Sequence, residues 1–220
     1  MNNPNWHRKN YRRNLVDMHI NAWNPEFMTK FDPKAYVDCM MAANVSCCMV
    51  YANSHAGYAY WPAPDGNQHP GLAGRDTFGE IVELCHKNGI DVIAYYTLVY
   101  DNWAYSRDPS WRVLRADGIS DMECGDRGGR YGHACPNSEG YREFTKKQVT
   151  NLVTKYNFES IFFDMTFWPY VCYCDNCKRR YDKEIGGVMP RIINWQDPVW
   201  NMFQAKREEW LNEFAFYCTN

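Results

Sequence analysis

The stretch FFDMTFWPYVCYCDNCKRRY (162–181) puts one carboxylate, Asp164, at the end of an apolar run and three thiols, Cys172, Cys174 and Cys177, shortly after it. A C-x-C-x-x-C run offers three soft ligands on a short leash, and a tetrahedral zinc wants four. Cys135, in HACPNSEGYREF, would complete the set and tie the loop after the third strand to the loop after the fourth; Cys124 is the alternative. The same residues admit two other interpretations. Cys174-x-x-Cys177 has the spacing of a redox pair at a helix N-terminus, with Cys172 left over. Or the thiols are buried and inert, as the apolar surroundings of Cys39, Cys47, Cys48, Cys85 and Cys218 imply for those five. Spaced cysteines without a secretory leader favour metal over disulfide. Lys178-Arg179-Arg180 reads as a solvated helix face, since a nucleic-acid zinc ribbon needs a second cysteine pair and basic flanks.

Asp164 follows ESIFF, so its side chain should emerge where a strand meets its loop. An aspartate there also serves as a helix cap or an arginine partner. Its neighbours point to chemistry. Phe167, Trp168 and Tyr170 offer an apolar platform, and His19 and His55 come from other strand ends. The segment HAGYAYWPAPDGNQHP adds Tyr58, Tyr60 and Trp61, and Asp101 and Trp103 follow the third strand. Imidazoles and aromatic rings around one carboxylate suit a polyhydroxylated ring better than a phosphate or a nucleobase. The competing assignments are satisfied structural histidines and core aromatics.

These groups need elements to hold them. Apolar runs at LVDMHI (15–20), VSCCMVYA (45–52), DVIAYYTLVY (91–100) and ESIFFDMTF (159–167) read as strands. Helices separate them. Asp32-Pro33 caps and starts one to about Ala43. A Thr77-x-x-Glu80 capping box starts another, with Phe78, Ile81, Val82, Leu84 and Cys85 on one face and Gly89 as its stop. A third runs from Asn137 or Ser138 to about Tyr156, and Asp197-Pro198 opens a last one carrying Trp200, Phe203, Trp210, Leu211 and Phe214. Asp117-Gly118 and Gly128-Gly129 mark turns in the loop after the third strand. Alternation of this kind predicts a parallel sheet with right-handed crossovers, its strands covered on both faces.

The polar groups cluster at the C-terminal ends of the strands, where β/α barrels carry their chemistry. A doubly wound sheet is the rival, but neither GxGxxG nor a P-loop follows the first strand. The expected fold is α/β, the N-terminal half (about four β/α units) of a (β/α)8 TIM barrel. Residues 1–220 would then be a partial catalytic domain with the rest of the barrel absent, since a closed barrel takes eight strands and about 250 residues.

The 220 residues carry a net charge of −2, which argues against a nucleic-acid partner. No apolar run is long enough for a membrane span. The opening MNNPNWHRKNYRRN has no signal-peptide core, so a cytoplasmic location with reduced thiols is expected. Any homo-oligomer would form through parts outside this chain.

The stretches NLVDMHI, SHAGYAYWP, GRDTFGEIVELCHKNGIDVIAYY, ACPNSEGYREF and FFDMTFWPYVCYCDNC resemble the catalytic domain of glycoside hydrolase family 151, a group of α-L-fucosidases, and related hypothetical barrel hydrolases. SHAGYAYWP with KNGIDVIAYYT is also similar to family 29 α-L-fucosidases, matching at His55, Gly57 and Trp61, whereas Ser54 and Ala56 replace a His and an Asp. The resemblance implies retaining hydrolysis of a carbohydrate substrate with Asp164 as nucleophile, and fucose-pocket positions at His19, His55 and Trp61. ACPNSEGYREF with C-x-C-x-x-C resembles the four-cysteine zinc site of family 42 β-galactosidases, which implies structural Zn2+ on Cys135, Cys172, Cys174 and Cys177. That family carries Asn-Glu where this chain has Phe163-Asp164, which favours the fucosidase over a β-galactosidase-like enzyme. The acid/base would be Asp17, Asp101 or a residue of the absent half. The alternative from another class is a non-catalytic, zinc-stabilised carbohydrate-binding or scaffolding protein.

Overall fold

The computed structural model describes residues 5–124 and 129–219. The turn signal at Gly128 lies outside these residues. The chain divides into two compact units, one of residues 1–98 with 147–164 and the other of residues 99–146 with 165–220.

The first unit holds a short helix α1 (Trp6–Lys9), strand β1 (Arg13–Leu15), α2 (Pro33–Ala42), β2 (Cys47–Tyr51), α3 (Thr77–Lys87) and β3 (Asp91–Thr97). The second holds α4 (Asn102–Arg107). Helix α5 (Glu139–Lys155) then runs from the second unit into the first, and β4 (Ser160–Asp164) completes the sheet. Helices α6 (Asp175–Glu184) and α7 (Pro198–Thr219) belong to the second unit. The four strands pair in the order β1-β2-β3-β4, all parallel. The chain therefore has an α/β fold consistent with part of a β/α barrel.

Local chemistry accounts for the element ends. Asp32 caps α2 by accepting from Lys34 N–H, with Pro33 in the first turn. The α3 cap is Asp76 and not Thr77, because Asp76 accepts from Gly79 N–H at 3.0 Å. The Thr77 hydroxyl instead donates to the Tyr60 carbonyl. Helix α3 buries Phe78, Ile81, Val82 and Cys85, each apolar side chain worth about 1.5–3 kcal/mol of transfer free energy. Gly89 follows it with φ of +71°, the left-handed turn that ends the helix.

The first strand is displaced from the expected 15–20. Its pairing with β2 runs from Arg13↔Cys47 to Leu15↔Met49 and stops. Beyond that, side chains take over the backbone: Asp17 Oδ1 accepts from His19 N–H at 3.3 Å, and the Tyr60 hydroxyl donates to the Met18 carbonyl. Strand β3 ends at Thr97, short of the expected Tyr100. Strands β2 and β3 are buried, but β1 is exposed and β4 only half-buried, with Phe162 43% exposed. Burial on both faces thus fails for β1 and β4, which have no strand neighbour on one side among the described residues. Cys39 is likewise exposed, since α2 turns only Pro33, Val37 and Met40 inward.

Candidate active site

Six polar side chains of the first unit form a stacked array. Asp164 ends β4 and lies in register with Thr97 of β3. Side chains alternate along a strand, so Tyr95, two residues before Thr97, shares its face. The Tyr95 hydroxyl donates to Asp164 Oδ2. His55, from the loop after β2, brings Nε2 to 3.1 Å from that hydroxyl and 3.4 Å from the same carboxylate oxygen.

A second group has the same composition, with its tyrosine and histidine one strand earlier and its aspartate, Asp17, after β1. Tyr51, opposite Tyr95 in the parallel register, donates from its hydroxyl to Asp17 Oδ1 at 3.2 Å. His19 Nε2 lies 3.4 Å from the Tyr51 hydroxyl and 3.5 Å from Asp17 Oδ1. The equivalent rings stack: His19 on His55 with centroids 3.8 Å apart, and Tyr51 on Tyr95.

Proton positions follow from the donors. The His55 backbone N–H must donate, and it points at His19 Nδ1 at 3.1 Å. The neutral His19 ring therefore carries its proton on Nε2, toward Tyr51 and Asp17. Burial first, then Asp164, raises the Tyr95 phenol; burial first, then Asp17, raises Tyr51. Both stay protonated and act as donors. Burial, then the His19 ring, pushes the His55 imidazole down to about 4, against the opposing pull of Asp164. The side chains of His19 and His55 are 16% and 6% exposed, those of Asp17 and Asp164 72% and 30%. The array thus presents carboxylates to solvent on a base of buried donors.

The structure brings Asp164, His19 and His55 together. Tyr51 and Tyr95 were not expected there, because they read as ordinary members of apolar strands. The other candidates have separate engagements. Tyr58 is half-buried, edge-on to His69. Trp61 is fully buried, and its indole donates to Asn151 Oδ1 at 3.0 Å, so it serves the core. Asp101, Trp103 and Trp168 belong to the second unit. Asp101 caps α4 by accepting from Ala104 N–H at 2.8 Å, and complete burial raises its carboxyl to about 7. Trp103 stacks on Phe144 and carries the Arg107 guanidinium. The Trp168 indole donates to the Arg207 carbonyl at 2.8 Å.

The second unit is built around thiols. Cys135, Cys172, Cys174 and Cys177 are all buried, with their Sγ atoms within 4.8 Å of one another. Cys135 Sγ lies 3.4 Å from Cys177 Sγ and 3.7 Å from Cys174 Sγ. Disulfide sulfurs sit about 2.05 Å apart. A tetrathiolate zinc, with Zn–S of about 2.3 Å, has edges of about 3.8 Å. The donor set therefore fits a tetrahedral soft-metal ion. Asn137 supplies outer hydrogen bonds, from its backbone N–H to Cys135 Sγ and from Nδ2 to Cys177 Sγ. Hydrogen bonds from the other three thiols lower Cys174, while burial raises Cys135 and Cys177. Around the cluster pack Val113, Tyr181, Trp200, Phe203 and Trp210.

Comparison with known proteins adds a family and a fold. A family model described as Hypothetical glycosyl hydrolase 6 matches residues 32–165, which ends just past Asp164. No curated protein matches the sequence. Among solved structures, α-L-fucosidase isoenzyme 2 from Paenibacillus thiaminolyticus superposes with a TM-score of 0.77 at 23% identity, covering 95% of this chain and 30% of its own. A hypothetical protein from Ruminiclostridium thermocellum superposes with a TM-score of 0.57 at 17% identity, covering 92% and 90%. At such identities the likeness is one of fold. The chain spans less than a third of the fucosidase it resembles.

Proposed function

The chain belongs to the hypothetical glycosyl hydrolase 6 family, and from that premise we propose that it carries the nucleophile side of a retaining glycosidase, with α-L-fucosides as substrates. The observation that supports this most is the carboxylate of Asp164, partly open to solvent and held at Oδ2 by Tyr95 and His55. An oxygen fixed by buried donors leaves its twin aimed for in-line attack on an anomeric carbon. A second carboxyl group would protonate the leaving oxygen, and water would then release the sugar with net retention. Neutral His55 and the Tyr95 phenol supply hydrogen bonds that hold Asp164 as an attacking group.

Zinc on the four thiolates would act as a cross-link, because four protein ligands leave no open position for water. The likeness to the Paenibacillus thiaminolyticus fucosidase covers 95% of this chain with less than a third of that enzyme. That supports assigning residues 1–220 to the first half of a barrel whose other half carries the proton donor.

The test is hydrolysis of an aryl α-L-fucoside by the full-length product of the gene, before and after Asp164→Gly. The variant should lose turnover, and azide should restore it with a glycosyl azide of inverted configuration. Turnover that survives Asp164→Gly would remove Asp164 from the reaction. Residues 1–220 alone should not turn over the same substrate.

A further inference from the structure

The Asp17–Tyr51–His19 group repeats the Asp164–Tyr95–His55 group in composition and in contacts. In each, one carboxylate oxygen takes the tyrosine hydroxyl and faces histidine Nε2. In each, the other carboxylate oxygen accepts nothing from any described residue. Their imidazoles stack 3.8 Å apart and their phenols 3.9 Å apart, while Asp17 follows β1 and Asp164 ends β4. Asp17 also closes a local turn by accepting from His19 N–H, but that turn uses only Oδ1. It explains neither the Tyr51 hydroxyl directed at Asp17 nor the open Oδ2.

Resting on the glycosidase reading above, we propose that Asp17 is a substrate-binding carboxylate, whose Oδ2 accepts a hydrogen bond from a hydroxyl of the sugar that Asp164 attacks. The imidazoles and phenols of the two groups are each offset by one ring stack, so Asp17 and Asp164 are anchored to adjacent tyrosine hydroxyls at the same end of the sheet. Tyr51 and His19 restrain Asp17 as Tyr95 and His55 restrain Asp164, so the acceptor is oriented before substrate arrives. Asp17 receives its hydrogen bonds through Oδ1, which leaves Oδ2 to meet the sugar. A carboxylate that requires a hydroxyl partner also sets specificity, since a sugar lacking that hydroxyl leaves the site poorly paired.

The experiment measures kcat/KM of the full-length protein on an aryl α-L-fucoside and on its monodeoxy analogues. The wild type should disfavour one analogue by about 10- to 100-fold, the range for a hydrogen bond to a charged group. Asp17→Ala should erase that preference at the one position and keep the others, chiefly through KM, and the isosteric Asp17→Asn, whose neutral amide still hydrogen-bonds a hydroxyl, should weaken it. Tyr51→Phe, which keeps the ring stack but releases Oδ1, should reduce the same preference by less. An unchanged preference at every position in Asp17→Ala overturns the proposal. So does a loss that grows as the aryl leaving group becomes more basic, which would mark Asp17 as the proton donor. If Asp164→Gly abolishes turnover in the same assays, such a failure is confined to Asp17. If the wild type hydrolyses no aryl glycoside, or Asp164→Gly retains full turnover, both proposals fall.

Discussion

The ring of Tyr51 lies flat on that of Tyr95, centroids 3.9 Å apart and planes 13° apart, and the two hydroxyls serve different carboxylates, Asp17 and Asp164. The parallel register makes the stack, because it sets Tyr51 directly opposite Tyr95. Two interior strands thus carry hydrogen-bond donors out to the mouth of the sheet.

Tyr95→Phe keeps the stacked ring and deletes the donor. A hydrogen bond to a charged acceptor is worth about 1.5–3 kcal/mol, so kcat/KM of the full-length protein on an aryl fucoside should fall roughly 10- to 100-fold. Urea unfolding should shift little, since the phenyl ring still fills its place. Undiminished kcat/KM would show that Tyr95 does not position Asp164.

His55 gives the acid response a sign. Its imidazole is held down to about 4 from an ordinary 6.5, mainly by burial. The unfolded chain therefore takes up a proton that the folded chain refuses, and stability declines as pH falls through that interval. Above 6.5 the group contributes nothing to the slope; by pH 4 the loss reaches roughly 3 kcal/mol. Histidine NMR resonances should show His55 neutral across this window, and His55→Asn should flatten urea midpoints plotted against pH. A His55 resonance that titrates near 6.5 would contradict the assignment.

The thiol cluster predicts about one zinc per chain, with cobalt exchange giving the absorption of a tetrahedral tetrathiolate. Structural zinc in small thiolate sites holds on the order of 10 kcal/mol of folding free energy. Chelation or Cys177→Ser should therefore strip hydrogen-exchange protection from α6 and α7, where Tyr181, Trp200, Phe203 and Trp210 pack round the cysteines. Amides of β2 and β3 should keep theirs. Purified protein free of metal, and indifferent to chelator, would return the cluster to inert thiols.

Gly71 tests the loop that carries His55. A Cβ there would sit 1.7 Å from the Phe27 carbonyl oxygen, a backbone atom that cannot step aside. Gly71→Ala should cost about 1–3 kcal/mol in urea unfolding, as overpacking does. An unchanged midpoint would mean that the segment yields at no cost.

The sequence shows much of this site because strand ends are easy to recognise. Asp164 and His19 each interrupt an apolar run with a polar group, His55 follows one closely, and C-x-C-x-x-C declares itself by spacing. Tyr51 and Tyr95 stayed hidden inside such runs. Their signal was the need of a buried phenol for a hydrogen-bond partner. Trp61 shows the converse: an indole in a loop segment of the sequence, yet fully buried against Asn151. Helix α6 was legible only in part, through Lys178-Arg179-Arg180 as a solvated helix face; its bounds also follow from Cys177 and Tyr181 sharing a face and from Arg180 pairing with Glu184 four residues on. The first strand shifted because side chains claimed the backbone of Asp17 to Ile20, a contest that local pattern does not register.

The array draws on residues from 17 to 164, one contribution arriving after each strand in turn. It can therefore exist only when β4 has docked, and contacts of such wide sequence separation form late and slowly. On the ribosome, a nascent chain would expose two histidines and two tyrosines long before the aspartate of β4 emerges to meet them. Ligand capture would then time-stamp the docking of β4, and every translation product that stops short of that strand would stay blind to ligand.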